Sequence, residues 1–212
     1  IKLLSDIKHF HRINKATATV PMPSPTKKIA IPIKNYPSVI GIASSTGGPQ
    51  VLYTIFRALP AHYPIPILVT QHIAHGFLKG LVHWLKQYTE LEVCIAQEKV
   101  IPKPGTVYFA SEDAHLELDP LSRLKYNFDL PVNGFRPSGD VMLNSIAKSF
   151  YHNSVGIILT GMGNDGVKGI ESIYNNNGVT IAQDKNSSLI YGMPQEAVKK
   201  NIISRQLTPE EI

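Results

Sequence analysis

Cysteine is almost missing from this sequence; Cys94 is the only one. A single thiol can neither close a disulfide within the chain nor by itself hold a structural zinc ion. It lies in the apolar run 91–96, so it is expected to be a small core residue rather than a nucleophile. Long apolar runs are lacking too. No segment is apolar over the roughly 20 residues that a membrane-crossing helix needs, and the first residues hold no secretory signal core. The cytoplasm is therefore the expected compartment. The chain starts with Ile1 rather than methionine, as a fragment or a processed form would. Internal repeats and low-complexity segments are absent from the body of the chain.

What is present is the composition of a folded protein: 43% hydrophobic and 17% charged residues over 212 positions. A domain of this size buries about 70% of its unfolded surface and needs no metal or disulfide staple. The net charge of +5 is unevenly placed. Residues 1–38 hold seven basic side chains (Lys2, Lys8, Arg12, Lys15, Lys27, Lys28, Lys34) against Asp6, which is +6 and leaves −1 for the rest. No dense basic face remains to bind nucleic acid. Residues 14–37 carry Pro21, Pro23, Pro25, Pro32 and Pro37 and read as a linker.

From about residue 38 short β-branched runs alternate with helical patterns. Strands are expected at 38–43, 66–71, 91–96, 155–159 and 179–182, and helices at 50–58, 76–88, 140–152, 167–175 and 194–200. The short runs 106–110, 115–118 and 123–127 are expected to form an antiparallel excursion. Residues 208–211 carry a capping-box pattern. The expected fold is α/β: a doubly wound, mostly parallel sheet with helices on both faces.

In such sheets ligands bind beyond the carboxyl ends of the strands. Three loops there carry reactive groups: Ser44-Ser45-Thr46-Gly47-Gly48-Pro49, Gln71-His72, and Gly161-Met162-Gly163-Asn164-Asp165-Gly166. A hydroxyl, an imidazole and a carboxylate at one sheet edge are the parts of acyl-transfer chemistry. The base takes the proton of the hydroxyl, and the carboxylate orients the base. Glycine-rich turns leave N–H groups free for an oxyanion. Each residue alone has a blander reading: Ser45 as a helix cap, His72 as an ordinary histidine, Asp165 as the cap of the next helix. The other histidines lie in the tail, beside helices or, like His115, at the start of a strand. A rival reading takes Gly161-x-Gly163-x-x-Gly166 as a nucleotide-binding fingerprint, with Asp184 near the ribose position. Asp165 inside that loop opposes a pyrophosphate, and its late place in the chain is unusual. The serine loop lacks a P-loop lysine.

Several stretches occur in a set order: Ser45-Thr46-Gly47-Gly48-Pro49, Thr70-Gln71-His72, Pro104-Gly105-Thr106-Val107-Tyr108, Arg136-Pro137-Ser138, Ile158 to Gly166, Thr180-Ile181-Ala182-Gln183-Asp184 and Tyr191-Gly192-Met193-Pro194. In these the sequence resembles the catalytic domain of chemotaxis protein-glutamate methylesterases of the CheB type, from about residue 38 to the end. The resemblance implies Ser45 as nucleophile, His72 as base, Asp165 as its orienter, and Thr46 and Met162 as the oxyanion-binding region. It implies hydrolysis of glutamate methyl esters on the cytoplasmic helices of chemoreceptors, with receptor-glutamine deamidation in some relatives. It implies no cofactor, no metal and no membrane insertion. Residues 1–37 then correspond to the end of an N-terminal receiver domain and its linker, and 38–212 to the catalytic domain. Two departures stand out. Ala43-Ser44 precedes the nucleophile where the family often has Gly-Ala. Gly139 follows Arg-Pro-Ser where a branched apolar residue is common, which is expected to loosen the helix start at Asp140.

Overall fold

A computed structural model of the chain describes residues 37–212. The expected receiver remnant and linker therefore lie outside the described residues, Pro37 excepted. The strands are β1 (Val39–Ser44), β2 (Ile67–Gln71), β3 (Glu92–Ile95), β4 (Thr106–Phe109), β5 (His115–Leu118), β6 (Leu124–Asn127), β7 (Ser154–Ile158), β8 (Val179–Gln183) and β9 (Arg205–Leu207). The helices are α1 (Gly48–Phe56), α2 (Leu78–Lys86), α3 (Gly139–Phe150), α4 (Val167–Asn175) and α5 (Met193–Lys199). Seven strands form one parallel sheet in the order β3-β4-β2-β1-β7-β8-β9, and β5 pairs with β6 in a separate antiparallel ribbon.

The central strands are buried on both faces, which is why they read as mostly apolar runs without polar alternation. Side chains alternate across the sheet. From β1, Ile40 and Ile42 pack with Val51, Leu52, Phe56, Leu81 and Leu85 of α1 and α2. Val39 and Ala43 pack on the other side with Met142, Leu143, Ile146, Ile170 and Ile173 of α3 and α4. The sheet is thus doubly wound, as its sequence pattern implies.

Residues 106–110 differ from expectation. β4 is not part of the antiparallel excursion; it lies parallel to β2 and β3, between them. Val107 and Phe109 fill one core layer and Tyr108 the other, so this short strand is interior. β9 adds an edge strand that the sequence pattern does not announce, because Arg-Gln-Leu has no apolar alternation. Thr208 and Glu211 close a turn with the expected reciprocal bond, Thr208 N–H donating to Glu211 Oε2 at 3.0 Å. Cys94 on β3 is half-buried rather than fully buried, and burial is the main cause that pushes its thiol pKa up.

Candidate active site

β1 sits at the point where the winding reverses. The chain leaves it for β2 on one side, and β7 later arrives on the other. The crevice at such a reversal is where open α/β sheets bind ligands. The loops after β1, β2 and β7 meet there. His72 N–H donates to Ser44 O at 2.9 Å, and Ser45 N–H donates to Thr160 O at 3.0 Å. At Gly47 the chain turns into α1 with φ of 85°, a left-handed conformation that costs glycine little.

The paired serines are separated by the two-residue period of the strand. Ser44 is fully buried on the α1 side, and its Oγ donates to Gln71 Oε1 at 2.5 Å. Ser44 is thereby committed to Gln71. Continuing the alternation past the strand ends puts Ser45 and His72 on the α3 side. Ser45 is partly exposed, and its Oγ makes no hydrogen bond to another described residue. Gln71 holds the two peptides together from below, its Nε2 donating to Ser45 O and His72 O, each at 2.8 Å. Gln71, beside the histidine in sequence, thus clamps the loops after β1 and β2.

His72 Nε2 lies 2.8 Å from Asp165 Oδ2, with Asp165 fully buried and the imidazole side chain 10% exposed. A carboxylate oxygen only accepts, so Nε2 carries the proton. In the neutral ring His72 Nδ1 is then an acceptor, and only in the imidazolium does it too carry a proton. It is buried and has no hydrogen-bond partner among the described residues. Phe135 lies flat against the ring, with centroids 4.0 Å apart and planes at 2°.

Asp165 is held by groups that the sequence alone did not connect to it. Ser138 Oγ donates to Oδ1 at 2.5 Å, Gly139 N–H to Oδ2 at 2.6 Å and Asp140 N–H to Oδ1 at 3.3 Å. Ser138 occupies the cap position of α3 but makes no side-chain cap bond to that helix. The carboxylate from the β7 loop caps α3 instead, and the positive helix end favours its charge. Burial alone would raise the Asp165 pKa; the bonds from His72, Ser138 and Gly139 and the histidine's charge outweigh it and hold it below the usual value. The neighbouring Asp140 goes the other way. Burial raises it first, Asp165's charge adds to that, and the Gly169 N–H bond only partly opposes them.

Thr46 is exposed, and Met162 is 66% exposed. Neither main-chain N–H donates to another described residue. The two loops that carry them are tied by Thr160, whose Oγ1 donates to Thr46 O at 3.0 Å and accepts from Ile190 N–H at 2.9 Å. Gln183 in turn accepts from Thr160 N–H at 2.8 Å. The Gly161–Gly166 loop is occupied by this work. Gly161 O accepts from Gly192 and Met193 N–H, and a Cβ at Gly161 would meet Met193 Sδ at 2.4 Å. Asp184, the residue at the ribose position of the nucleotide reading, holds the 186–187 turn instead. A cavity of about 380 Å³ opens beside the imidazole, bounded by His72, His75, Leu78, Phe135 and Arg136 among others. The described residues include no group of three or more potential metal ligands.

The two departures from the family pattern touch each other. A Cβ on Gly139 would lie 2.8 Å from the Ala43 Cβ and 3.3 Å from Asp165 Oδ2. A Cβ on Gly166, where φ is 91°, would lie 2.8 Å from the same methyl. The extra methyl at 43 thus fills the space that a side chain at 139 would need. Gly139 does not loosen the start of α3; it is the first residue of that helix, is buried, and gives Asp165 its shortest backbone bond. Gly139→Val is expected to destabilise the fold by about 1–3 kcal/mol through overpacking. Adding Ala43→Gly is expected to recover part of that, so the pair is non-additive. Denaturant midpoints of the two single variants and the double variant check this; strict additivity would contradict the packing account.

The CheB methylesterase family model matches residues 40–212. The chain is 40% identical over 202 residues to protein-glutamate methylesterase/protein-glutamine glutaminase 4 of Myxococcus xanthus, covering 95% of this chain and 57% of that protein. It is 42% identical to protein-glutamate methylesterase FrzG of Myxococcus xanthus, over 92% of this chain and 57% of that one. The chain thus spans rather more than half the length of these curated relatives. Among solved structures it resembles the Thermotoga maritima CheB methylesterase catalytic domain, with a TM-score of 0.76, 34% identity, and coverage of 83% of this chain and 95% of that one.

Proposed function

The chain belongs to the CheB methylesterase family, and from that premise we propose that it hydrolyses glutamate methyl esters on the cytoplasmic helices of chemoreceptors, with Ser45, His72 and Asp165 as its triad. The observation that carries this reading is the His72–Asp165 pair at the end of β2, beside the Ser45 loop, with the far imidazole nitrogen unpartnered.

In this mechanism Ser45 Oγ rotates onto His72 Nδ1, a bond that hydrolases often leave long without substrate. The hydroxyl attacks the ester carbonyl as Nδ1 takes its proton. Asp165 on Nε2 holds the tautomer and stabilises the imidazolium. The N–H groups of Thr46 and Met162 receive the oxyanion, a contribution of about 3 kcal/mol for each donor. Nδ1–H then protonates the departing methoxide, and methanol leaves. Water repeats the cycle on the acyl-enzyme and frees the glutamate. The ring order is the reverse of the one in which Nδ1 faces the acid and Nε2 the serine. No metal or cofactor enters any step.

The two Myxococcus relatives bear methylesterase names, and one also bears the glutaminase name; deamidation of receptor glutamines by the same site is part of this proposal. So are a location in the cytoplasm, where the receptor helices are, and an upstream receiver domain in the whole protein. Among the described residues no helix is long and apolar enough to cross a membrane. The test pairs two substrates: receptor membranes methylated with labelled methyl groups, and a simple aryl ester. Release of labelled methanol from the receptor at the faster kcat/KM is expected. Hydrolysis of the aryl ester alone would refute the receptor assignment. Titration calorimetry with NAD and ATP is expected to be silent, and micromolar binding would instead support a nucleotide module.

A further inference from the structure

His115 lies at the start of β5 and is fully buried, yet the mechanism above does not use it. Its two ring nitrogens are both engaged. Nδ1 is 3.1 Å from Ser138 N, and Nε2 is 3.2 Å from Leu130 O. These partners fix the proton. Ser138 N–H can only donate, so Nδ1 must be bare. Leu130 O can only accept, so Nε2 must carry the hydrogen. The ring is neutral and in one tautomer.

The two partners bound the segment 130–138, and that segment flanks the imidazole of His72. At one end Ser138 Oγ donates to Asp165 Oδ1 at 2.5 Å. Between the ends, Val132 and Phe135 exchange backbone hydrogen bonds of 3.0 and 2.9 Å in a tight loop, and Phe135 stacks on His72 at 4.0 Å. Asn133 adds a weaker tie, its Nδ2 donating to Asp140 Oδ2 at 3.4 Å. One buried imidazole therefore pins both ends of the segment that supplies a face to the base and a hydroxyl to its carboxylate.

We infer that His115 is a positioning residue for the reaction: as the Nε2–H tautomer it sets Ser138 against Asp165 and the 130–138 segment against His72. The inference rests on the hydrolase reading for its kinetic consequence, but not for its structural one. Outer partners of metal-ligating histidines matter about 10–100-fold in activity, and that scale is taken for His115, which acts on His72 through Ser138 and Asp165.

Two variants separate the halves of the role. In His115→Asn the amide oxygen takes the place of Nδ1 and keeps an acceptor for Ser138. In His115→Gln the amide nitrogen reaches toward Leu130 O, and the Ser138 acceptor is lost. With rates normalised to active sites titrated by a fluorophosphonate, His115→Gln is expected to lower kcat about 10–100-fold with KM little changed. His115→Asn is expected to recover most of that loss. The downfield proton resonance of the His72 Nε2–H···Asp165 bond should shift in His115→Gln and stay near its native place in His115→Asn. That resonance needs no substrate, so it reports on positioning even if the esterase assignment fails. Nitrogen NMR of the unmodified chain provides a check independent of variant folding, with a neutral His115 protonated at Nε2 expected. The opposite tautomer, wild-type kcat and resonance in both variants, or a rise in KM at constant kcat would each overturn the inference.

Discussion

Ser45→Ala should lower the rate of methanol release from methylated receptor membranes by about 10⁵–10⁶-fold, the scale on which a serine hydrolase loses rate when its nucleophile goes. The remaining rate would reflect oxyanion binding and substrate positioning alone. Stability should barely change. Ser45 Oγ makes no hydrogen bond to another described residue and the side chain is partly exposed, so the thermal midpoint should move by the equivalent of about 0.5 kcal/mol or less. Ser44→Ala is the control. It removes the hydroxyl that Gln71 accepts, which should lower stability by about 1 kcal/mol while most of the rate survives. Loss of rate in the Ser44 variant with retention in the Ser45 variant would reverse the assignment of the two serines.

The second large effect is expected from Asp165→Asn, and it should appear in both rate and stability. Both carboxylate oxygens accept from donors: His72 Nε2–H and Gly139 N–H on one, Ser138 O–H and Asp140 N–H on the other. An amide must turn its own N–H₂ toward one of those donor pairs. The rate should fall about 10⁴-fold because the imidazole loses the partner that fixes its tautomer. The fold should lose about 1–3 kcal/mol for the polar groups left unpaired in the interior. Acid should narrow the stability gap between the two proteins. The folded-state pKa of Asp165 is held below the unfolded value, so its stabilisation is complete above the unfolded pKa and is lost as pH falls through the folded one. Urea melts of both proteins along a descending pH series measure this. A gap that stays constant through the acid range would show that the ionised carboxylate is not what the four donors hold.

Strand and helix positions were largely readable because most elements bury an apolar stripe of the right period. β1, β2 and β7 are apolar over most of their length, and α4 shows the same bounds in sequence and structure. β4 lies in the parallel sheet and not in the expected antiparallel excursion, because a four-residue strand says nothing about which neighbour it pairs with. Only the crossover from β3, which sets it between β2 and β3, determines that. The candidate triad residues were legible as loop residues at strand ends. The groups that organise them were not. Ser138 stands at the cap position of α3 without a side-chain cap bond, and a carboxylate from another loop caps that helix. His115 looked like an ordinary strand histidine because its partners, Leu130 and Ser138, become neighbours only in the fold. Gly139 looked like a weak helix start because its close contact with Ala43 is invisible until both residues are placed.

The central claim is that Ser45 is the nucleophile, that it is served by Nδ1 of His72, and that Nε2 stays on Asp165. A crystal structure of the protein inactivated by a methyl fluorophosphonate tests it most directly. The account predicts phosphorus bonded to Ser45 Oγ and the phosphonyl oxygen about 3 Å from the N–H groups of Thr46 and Met162. It also predicts His72 Nδ1 facing the adduct. Phosphorus on Ser44 or on any other side chain, or an imidazole that presents Nε2 to the adduct, would contradict it.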